Sequence, residues 1–158
     1  MDDLILVQHA PSAPGLRLLG IGPDLRPIKG VNKLIKLFNE NTSWAQNRSQ
    51  RQIQKMLSGS KVIVSGWFQN NLVGFGRATT DEIFRAVLWD IVVDKKYEKH
   101  GIGSKIMTSI ITNPLILKVE RVYLMTTHCE DFYLKMNFKI EKNQRLMIIN
   151  NKINVQKF

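Results

Sequence analysis

Apolar residues recur at three- and four-residue spacing in two segments of the first half of the chain. In residues 27–41 the recurring positions are Val31, Leu34, Ile35 and Phe38. In residues 48–58 they are Ile53, Met56 and Leu57. This spacing places the apolar side chains on one face of a helix. It predicts two amphipathic helices joined by a short polar segment.

A strand pattern follows the two helices. Residues 61–69 are rich in valine and aromatic side chains, Asn70-Asn71 is typical of a tight turn, and residues 72–80 again have a strand composition. The three segments together predict a β-hairpin.

Residues 85–94 predict a further strand. Strict alternation puts one set of side chains, Arg85, Val87, Trp89, Ile91 and Val93, on one face of this strand. It puts the other set, Ala86, Leu88, Asp90 and Val92, on the opposite face. Asp90 therefore interrupts an otherwise apolar face.

The second half of the chain predicts one long helix and several short elements. The helix runs from Gly101 to Asn113, and Pro114 ends it because proline disfavours helix at the preceding residue. Its buried side is Ile102, Ile106, Met107, Ile110 and Ile111. The later elements are a strand at 121–126, a short helix at 130–136, and a last strand pair near Lys139 and at 146–150.

Length and composition favour a single folded domain. The 158 residues, 44% of them hydrophobic, suffice for one core. We expect residues 1–15, with Pro11, Pro14 and Gly15, to form a loosely attached tail. The domain is then expected at 16–158, with a first strand at 15–20. No apolar run is long enough to span a membrane, and the first residues do not resemble a secretory signal.

Cysteine and histidine are too few and too scattered to predict a metal site. Cys129 is the single cysteine, which excludes an internal disulfide and fits a reducing compartment. His9, His100 and His128 have no ligand spacing among them. We expect no metal.

The net charge of +10 predicts attraction to acidic partners without identifying them. The basic residues are spread along the chain and form no long block, which is more typical of a solvated surface than of a nucleic-acid interface. We therefore expect no nucleic-acid and no membrane partner, although a basic nucleic-acid or ribosome-associated protein stays an alternative.

The most informative motif is a glycine-bearing turn between the 85–94 strand and the following helix. Residues 97–104 read Tyr-Glu-Lys-His-Gly-Ile-Gly-Ser. The amides of Gly101, Gly103 and Ser104 have no acceptor within the helix, and glycine allows close approach of a ligand. The helix N-terminus adds partial positive charge, so we predict a phosphate or pyrophosphate site. An ATP-binding loop and a dinucleotide fingerprint are excluded, since their further residues are missing.

Three motifs in chain order resemble the GNAT acyl-CoA N-acyltransferase family. They are Leu72-Val73-Gly74-Phe75, Val92-Val93 with Gly101-Ile102-Gly103, and Phe132-Tyr133-Leu134-Lys135-Met136-Asn137-Phe138. The segments 77–80, 88–90 and 121–128 are similar to its cyanobacterial and plastid-encoded branch. The resemblance implies an α/β (α+β) fold with a mixed sheet of six to seven strands and about four helices.

The resemblance also implies acetyl-CoA as co-substrate. Main chain of Ile91, Val92 and Val93 would pair with the pantetheine arm. The pyrophosphate would lie on residues 99–104, that is, on Lys99, His100, Gly101, Ile102, Gly103 and Ser104. One residue departs from the family pattern: Glu98 stands where Gln or Arg is usual, and its carboxylate is unfavourable beside a pyrophosphate. Lys99, His100 or Lys105 would offset this charge.

The same resemblance indicates a general acid, and the strand pattern indicates a candidate base. Tyr133 lies at the position of the family's general acid, which protonates the departing thiolate, and core packing with Phe132 and Met136 is the other interpretation of this residue. Asp90, a carboxylate in an apolar strand, is our first candidate for the base, with Glu98 or a water relay as alternatives and a structural carboxylate as the other interpretation. His128 is expected either to line the cofactor cleft, where it could also accept the amine proton, or to be an exposed loop residue. We expect Cys129 to be a buried structural thiol.

The acceptor is expected to be a primary amine: a protein lysine, a protein N-terminus or an arylalkylamine such as serotonin. A catalytically silent CoA-binding module is an alternative, and a homodimer is left open. The lack of a transit peptide and the Ile-, Lys- and Asn-heavy composition favour a plastid-encoded stromal protein, with a bacterial cytoplasm as the alternative.

Overall fold

The computed structural model describes residues 3–9 and 27–149, which contain both helices and strands. The elements are β1 (Ile5–His9), α1 (Pro27–Asn41), α2 (Gln50–Ser58), β2 (Val62–Phe68), β3 (Asn71–Thr80), β4 (Arg85–Val93), a 3₁₀ turn (Lys95–Tyr97), α3 (Ile102–Ile111), α4 (Pro114–Leu117), β5 (Arg121–Tyr123) and α5 (Glu130–Leu134). The chain divides into two compact units, Met1–Met125 and Thr126–Phe158. The first unit contains all five of these strands, and the second contains α5.

The strands of the first unit form one sheet in the order β1-β2-β3-β4-β5. The first three pairings are antiparallel, and β4 pairs with β5 in parallel. The parallel pairing is short: it runs from Arg85↔Arg121 to Val87↔Tyr123. The second half of β4, from Leu88 to Val93, therefore continues beyond its pairing with β5.

Helices α1 and α2 cover one face of the sheet. Leu34, Phe38 and Leu57 pack there with Trp67 and Phe75 in a buried cluster, in which the rings of Phe38 and Phe75 meet edge to face at 5.6 Å. Burial of such side chains is the main stabilising contribution to a fold of this size. Because Phe75 is paired with Val92, this core lies directly under the second half of β4.

Helix α3 covers the opposite face, over a stripe of glycines. A Cβ added at Gly74 would lie 2.6 Å from Ile106 Cδ1 and 2.9 Å from Ile102 Cγ2. Both distances are below ordinary van der Waals contact. Only glycine lets α3 pack this close to β3, and this packing fixes the first turn of the helix relative to the sheet.

The helices predicted from periodicity are confirmed. Helix α1 has the predicted bounds, and α2 begins two residues late because Ser49 is its N-cap and forms a reciprocal capping box with Gln52. Ile53 and Leu57 are buried as expected, whereas Met56 is only partly buried. Helix α3 buries Ile102, Ile106, Met107 and Ile110.

Two expectations are wrong. Residues 5–9 belong to the expected tail but form β1, which pairs with β2 from Ile5↔Trp67 to His9↔Ile63. Residues 139–149 contain no strand, so the last strand pair is not found in the part of the chain that the structure describes. Helix α3 ends before Pro114, as expected, and Pro114 is in addition the first residue of α4, capped by the Asn113 side chain. The strand expected at 15–20 lies outside the described residues.

The fold class is confirmed as a mixed sheet flanked by helices. The described residues contain five strands and five α-helices, against the six to seven strands and about four helices expected. Among the described helices, none combines the length and the apolar character needed to cross a bilayer. The domain boundary at residue 16 stays a prediction.

Candidate active site

β4 carries a bulge at its centre. Arg77 pairs with Trp89, but the next pair is Phe75 with Val92, so Asp90 and Ile91 together lie opposite Gly76. Asp90 has φ +52°, the left-handed conformation found in one common class of bulge. The extra residue bends the strand and redirects its side chains. This corrects the strict alternation: Trp89 and Asp90 both contact Arg77 and therefore share one face.

The carboxylate of Asp90 is bound by two arginines. Its Oδ2 lies 2.7 Å from Arg77 Nε, and its Oδ1 lies 3.6 Å from Arg48 Nη1. Only 7% of the Asp90 side chain is exposed. Arg77 also donates to Ser60 Oγ at 3.3 Å and lies over the Trp89 ring at 5.7 Å. Asp90 is therefore a paired carboxylate on the face that α1 and α2 cover.

The second half of β4 offers main-chain groups at its outer edge. The N–H of Asp94 donates to the carbonyl of Val73 at 2.9 Å. In an antiparallel ladder alternate residues bond to the same neighbour, so Val92 also faces β3 and Val93 faces away from it. Pairing with β5 ends at Val87. Of the strand residues predicted to bind the pantetheine arm, Val93 thus presents its amide to the open edge, while the main chain of Val92 bonds to β3.

The glycine-bearing turn has the geometry of an anion site. Lys99 and Gly101 are left-handed, at φ +64° and +75°. Among the described residues no side chain caps α3. Within the part of the chain that the structure describes, a Cβ at Gly101 would meet nothing within 4 Å. The amides of Gly103 and Ser104 lie in the first turn of α3, have no acceptor within the helix and suit a pyrophosphate.

The side chains of the turn divide into anchors and accessible groups. Ile102 is 1% exposed and packs against Gly74, so only its main chain faces a ligand. Lys99, His100 and Ser104 are exposed. His100 Nδ1 lies 2.8 Å from the carbonyl oxygen of Glu98, which fixes the imidazole close to the turn. Glu98 is also exposed, so its charge faces solvent beside the turn.

Tyr133 belongs to the second unit and lies in an aromatic cluster there. Its ring is 5.0 Å from that of Phe132 and 6.0 Å from that of Phe138, both edge to face. Burial, with a smaller contribution from Cys129, raises the pKa of Tyr133 to about 12. The phenol is therefore protonated throughout the physiological range. Its hydroxyl keeps its proton and can act as a hydrogen-bond donor.

Two neighbours of this cluster are exposed. His128 is an exposed loop residue in the second unit, which was one of its two expected environments. Cys129, expected to be buried, is exposed, and its N–H donates to Thr126 Oγ1 at 3.1 Å. The expectation failed because the thiol lies at the start of the five-residue helix α5, in which no residue is fully buried and Tyr133 is only partly buried.

The structure thus brings the bulge, the open edge of β4 and the glycine turn together in the first unit. Sequence reasoning missed Arg77 and Arg48. A signal for Arg77 was present, because a charged residue follows Gly76 in a strand that is otherwise apolar up to that point. Within residues 3–9 and 27–149, no group of three or more His, Cys, Asp or Glu side chains is arranged to hold a metal ion.

Comparison with known families identifies the class of protein. The acetyltransferase (GNAT) domain model matches residues 60–140, more than half of the 158 residues. The matched range contains the bulge, the glycine turn and Tyr133. The chain belongs to the GNAT acetyltransferase family.

Curated relatives carry related names. The chain is 27% identical over 150 residues to "Uncharacterized N-acetyltransferase ycf52" of Gracilaria tenuistipitata var. liui, covering 87% of this chain and 76% of that one. It is 29% identical over 89 residues to a ycf52-like N-acetyltransferase of Prochlorococcus marinus, covering 54% of this chain and 49% of the relative. The match to the Arabidopsis thaliana protein "GCN5-related N-acetyltransferase 2, chloroplastic" is 28% over 74 residues, 46% of this chain and 29% of that protein.

Solved structures share the fold. A probable acetyltransferase of Staphylococcus aureus superposes with a TM-score of 0.71 at 20% identity, covering 94% of this chain and 99% of that one. N-acetylglutamate synthase of Neisseria gonorrhoeae, solved with coenzyme A and N-acetyl-glutamate, superposes with a TM-score of 0.56 at 14% identity, covering 84% of this chain and 28% of that one. At these identities the likeness concerns the fold.

Proposed function

We propose that this protein transfers the acetyl group of acetyl-CoA directly to a primary amine. One observation carries the proposal: the bulged strand β4, open at its outer edge, leads into an uncapped helix N-terminus with a left-handed glycine. Strand edge and turn follow each other within residues 88–104. The strand edge supplies main-chain groups for an extended, amide-bearing arm, and the turn supplies amide donors for a pyrophosphate. A CoA molecule contains both parts.

The residues present fit acetyl-CoA. The amides of Gly101, Gly103 and Ser104 suit the pyrophosphate, and the exposed side chains of Lys99 and His100 can contact it. The main-chain groups of Val93 suit the amides of the pantetheine arm as an added strand would. Ile91 is the second residue of the bulge, and its main chain is our candidate for polarising the thioester carbonyl.

The reaction requires a neutral amine. Its nitrogen attacks the thioester carbonyl, a C–N bond forms, the C–S bond breaks, and the amine proton passes to a base. We propose that the Asp90 carboxylate belongs to the site, in one of two roles: the general base, or a support of the bulge. The two roles predict opposite results for Asp90→Asn, a large loss of activity for a base and near-normal activity for a support. Glu98 and ordered water stay alternatives for the proton.

Tyr133 is our proposed donor to the departing thiolate. The support is its place in the family motif and its neutral phenol, with a pKa of about 12. Burial favours the neutral phenol, which can donate its O–H to the sulfur as charge develops there. His128 is proposed as a flanking cofactor contact.

The class of acceptor is proposed from the net charge, and the location of the protein from its relatives. The net charge of +10 favours acceptors in acidic surroundings, whether the amine is a protein lysine, a protein N-terminus or an arylalkylamine. A chloroplastic relative and the ycf52 relatives support a plastid location, and the Prochlorococcus relative supports the bacterial alternative.

The test is calorimetry with acetyl-CoA followed by thiol release in the presence of an amine panel. The panel holds lysine peptides, free N-terminal peptides and serotonin, each with acidic and neutral flanks where the molecule allows. We expect saturable binding and turnover with one class of amine. Binding without turnover on any amine would favour a CoA-binding module, and absence of binding at millimolar acetyl-CoA would refute the proposal. Salt-dependent binding to nucleic acid that ignores acetyl-CoA would favour the basic-protein alternative.

A further inference from the structure

Asp90 holds an unusual backbone conformation inside a strand. Its φ of +52° is one that most side chains avoid, although Asp and Asn tolerate it better than the rest. Among the described residues, the other non-glycine positions with positive φ lie in turns, loops or caps rather than inside a strand. Such conformations persist when the surrounding structure holds them in place. The contacts that hold Asp90 are therefore part of the bulge.

Two arginines from separate segments supply those contacts. Arg77 lies on β3 beside the bulge and is itself held, by Ser60 Oγ and by the Trp89 ring, with 15% of its side chain exposed. Arg48 comes from the segment before α2 and packs over the Phe38 ring at 5.5 Å. The Arg77 contact is the stronger one, because 2.7 Å is a charge-assisted hydrogen bond and the 3.6 Å to Arg48 is only an ion-pair distance.

We propose that Arg77 is a positioning residue that acts through Asp90: its guanidinium holds the carboxylate, and the carboxylate holds the bulge that orients Ile91–Val93. This proposal rests on the proposed function, since these residues are the strand edge assigned to acetyl-CoA. Arg48 adds a second, weaker hold and connects the bulge to the segment between α1 and α2. In this role Asp90 accepts hydrogen bonds and takes up no proton.

Asn at position 90 separates positioning from base catalysis. Asn tolerates the left-handed conformation, and its Oδ1 still accepts a hydrogen bond from Arg77 Nε. Positioning therefore predicts that Asp90→Asn keeps kcat/KM for acetyl-CoA within about threefold, whereas loss of a general base costs about 10²–10⁴-fold in kcat. Alanine tolerates the left-handed conformation less well and has no side-chain acceptor for Arg77. We therefore expect Asp90→Ala to lower kcat/KM for acetyl-CoA about tenfold, consistent with a displaced strand edge.

The experiment measures kcat and KM for acetyl-CoA with the best amine of the panel, per folded molecule and well below each variant's Tm. The variants are Arg77→Met, Arg77→Lys, Asp90→Ala, Asp90→Asn and the double variant Arg77→Met/Asp90→Ala. We expect Arg77→Met to match Asp90→Ala, the double variant to be no worse than either, and Arg77→Lys to recover part of the loss. Within residues 91–93, hydrogen exchange of the unliganded protein should accelerate in Arg77→Met at the amide of Val92, which bonds to β3.

Arg85→Met is the matched control. Arg85 also lies on β4 and also pairs with a carboxylate, Glu120, at 2.8 Å, but at the far end of the strand from the bulge. Its kinetics and its exchange at residues 91–93 should equal those of the unchanged protein. A general effect of losing an arginine would appear in both variants.

Three results would overturn the proposal. They are unchanged kinetics and exchange in Arg77→Met, a loss of 100-fold or more in Asp90→Asn beside a near-normal Arg77→Met, and additive losses in the double variant. If Arg77→Met does not fold, Arg77→Lys and Asp90→Asn decide, by the same exchange and kinetics. If the unchanged protein neither binds acetyl-CoA nor acetylates any amine, the proposed function fails, and exchange at residues 91–93 still decides whether Arg77 holds the bulge.

Discussion

Gly76 and Ile91 touch across the bulge so closely that no side chain fits between them. A Cβ added at Gly76 would lie 2.7 Å from Ile91 Cδ1, and 2.9 Å from both Ile106 Cγ2 and Ile110 Cδ1. Three isoleucine side chains would have to move at once, and two of them, Ile106 and Ile110, are fully buried. The glycine thus lets β4 bulge and α3 pack at the same place, which links the strand edge to the helix N-terminus.

Gly76→Ala should therefore destabilise the protein by about 1–3 kcal/mol, the usual cost of overpacking. We also expect weaker acetyl-CoA binding, since α3 and β4 must shift apart. Urea unfolding and calorimetry measure the two effects. Gly59→Ala is the control, because its Cβ would lie at ordinary distances of 3.6 and 3.7 Å from backbone oxygens. Equal stability and affinity in both variants would contradict the coupling.

Tyr133→Phe tests the leaving-group donor. The aromatic contacts with Phe132 and Phe138 are retained, and only the hydroxyl is lost. We expect kcat to fall by about 10²-fold with acetyl-CoA affinity unchanged, because the donor acts on charge that develops in the transition state. Steady-state kinetics and calorimetry check this.

Tyr97→Phe is the matched control for Tyr133→Phe. Tyr97 packs edge to face on Phe68 at 5.7 Å and would likewise lose only its hydroxyl. It should behave like the unchanged protein. A parallel loss of kcat in both variants, or a loss of affinity in Tyr133→Phe alone, would assign Tyr133 a packing role.

Glu98→Gln tests the acidic residue beside the glycine-bearing turn. Removing an exposed carboxylate near a pyrophosphate should raise acetyl-CoA affinity about two- to tenfold at low salt, and the gain should shrink as salt screens the charge. Glu40→Gln, on α1 and paired with Lys36, makes the same charge change elsewhere. A lower affinity in Glu98→Gln would instead indicate that Glu98 contributes to binding.

His9 gives the fold a pH dependence on the acid side. Burial lowers the pKa of His9 to about 4 from its ordinary value of 6.5, and Nε2 lies 3.3 Å from Ser65 Oγ. Since the folded-state pKa is the lower one, this stabilisation is complete above pH 6.5 and is lost as the pH falls towards 4.

Urea unfolding between pH 4 and 8 measures the His9 contribution. As the pH falls from 8 to 4, the free energy of unfolding of the unchanged protein should decrease by about 1–3 kcal/mol more than that of His9→Gln, which has no titrating side chain at position 9. Carboxylates titrate in both proteins, and their contributions cancel in the difference. Parallel stability curves would show that His9 is already solvated in the folded state.

The sequence predicted the elements whose pattern is periodic and local. Helix α1 has the bounds that were predicted for it, and its four apolar positions at three- and four-residue spacing fit a helix and not a strand. The strand predicted at 85–94 was recognised from its β-branched residues. The bulge was not predicted. Alternation assigns faces by counting residues, and it cannot show that Asp90 adopts φ +52° when Arg77 and Arg48 hold its carboxylate.

The edges of the sheet were harder still. Residues 5–9 carry a strand composition, but the prolines and glycine that follow suggested a tail, and only the pairing of Ile5 with Trp67 shows the strand. In the site, the glycine turn was predicted because its chemistry is local. Arg77 was missed because its role depends on a partner thirteen residues away across a strand pair.

The most direct test of the account is a titration of ¹⁵N-labelled protein with acetyl-CoA, followed by amide chemical shifts. Because binding is assigned to main-chain donors, the largest changes should fall on Val93, Gly101, Gly103 and Ser104, with saturation at the affinity found by calorimetry. Saturable binding whose shifts lie elsewhere, with these amides unmoved, would contradict the assignment of the strand edge and the turn as the acetyl-CoA site.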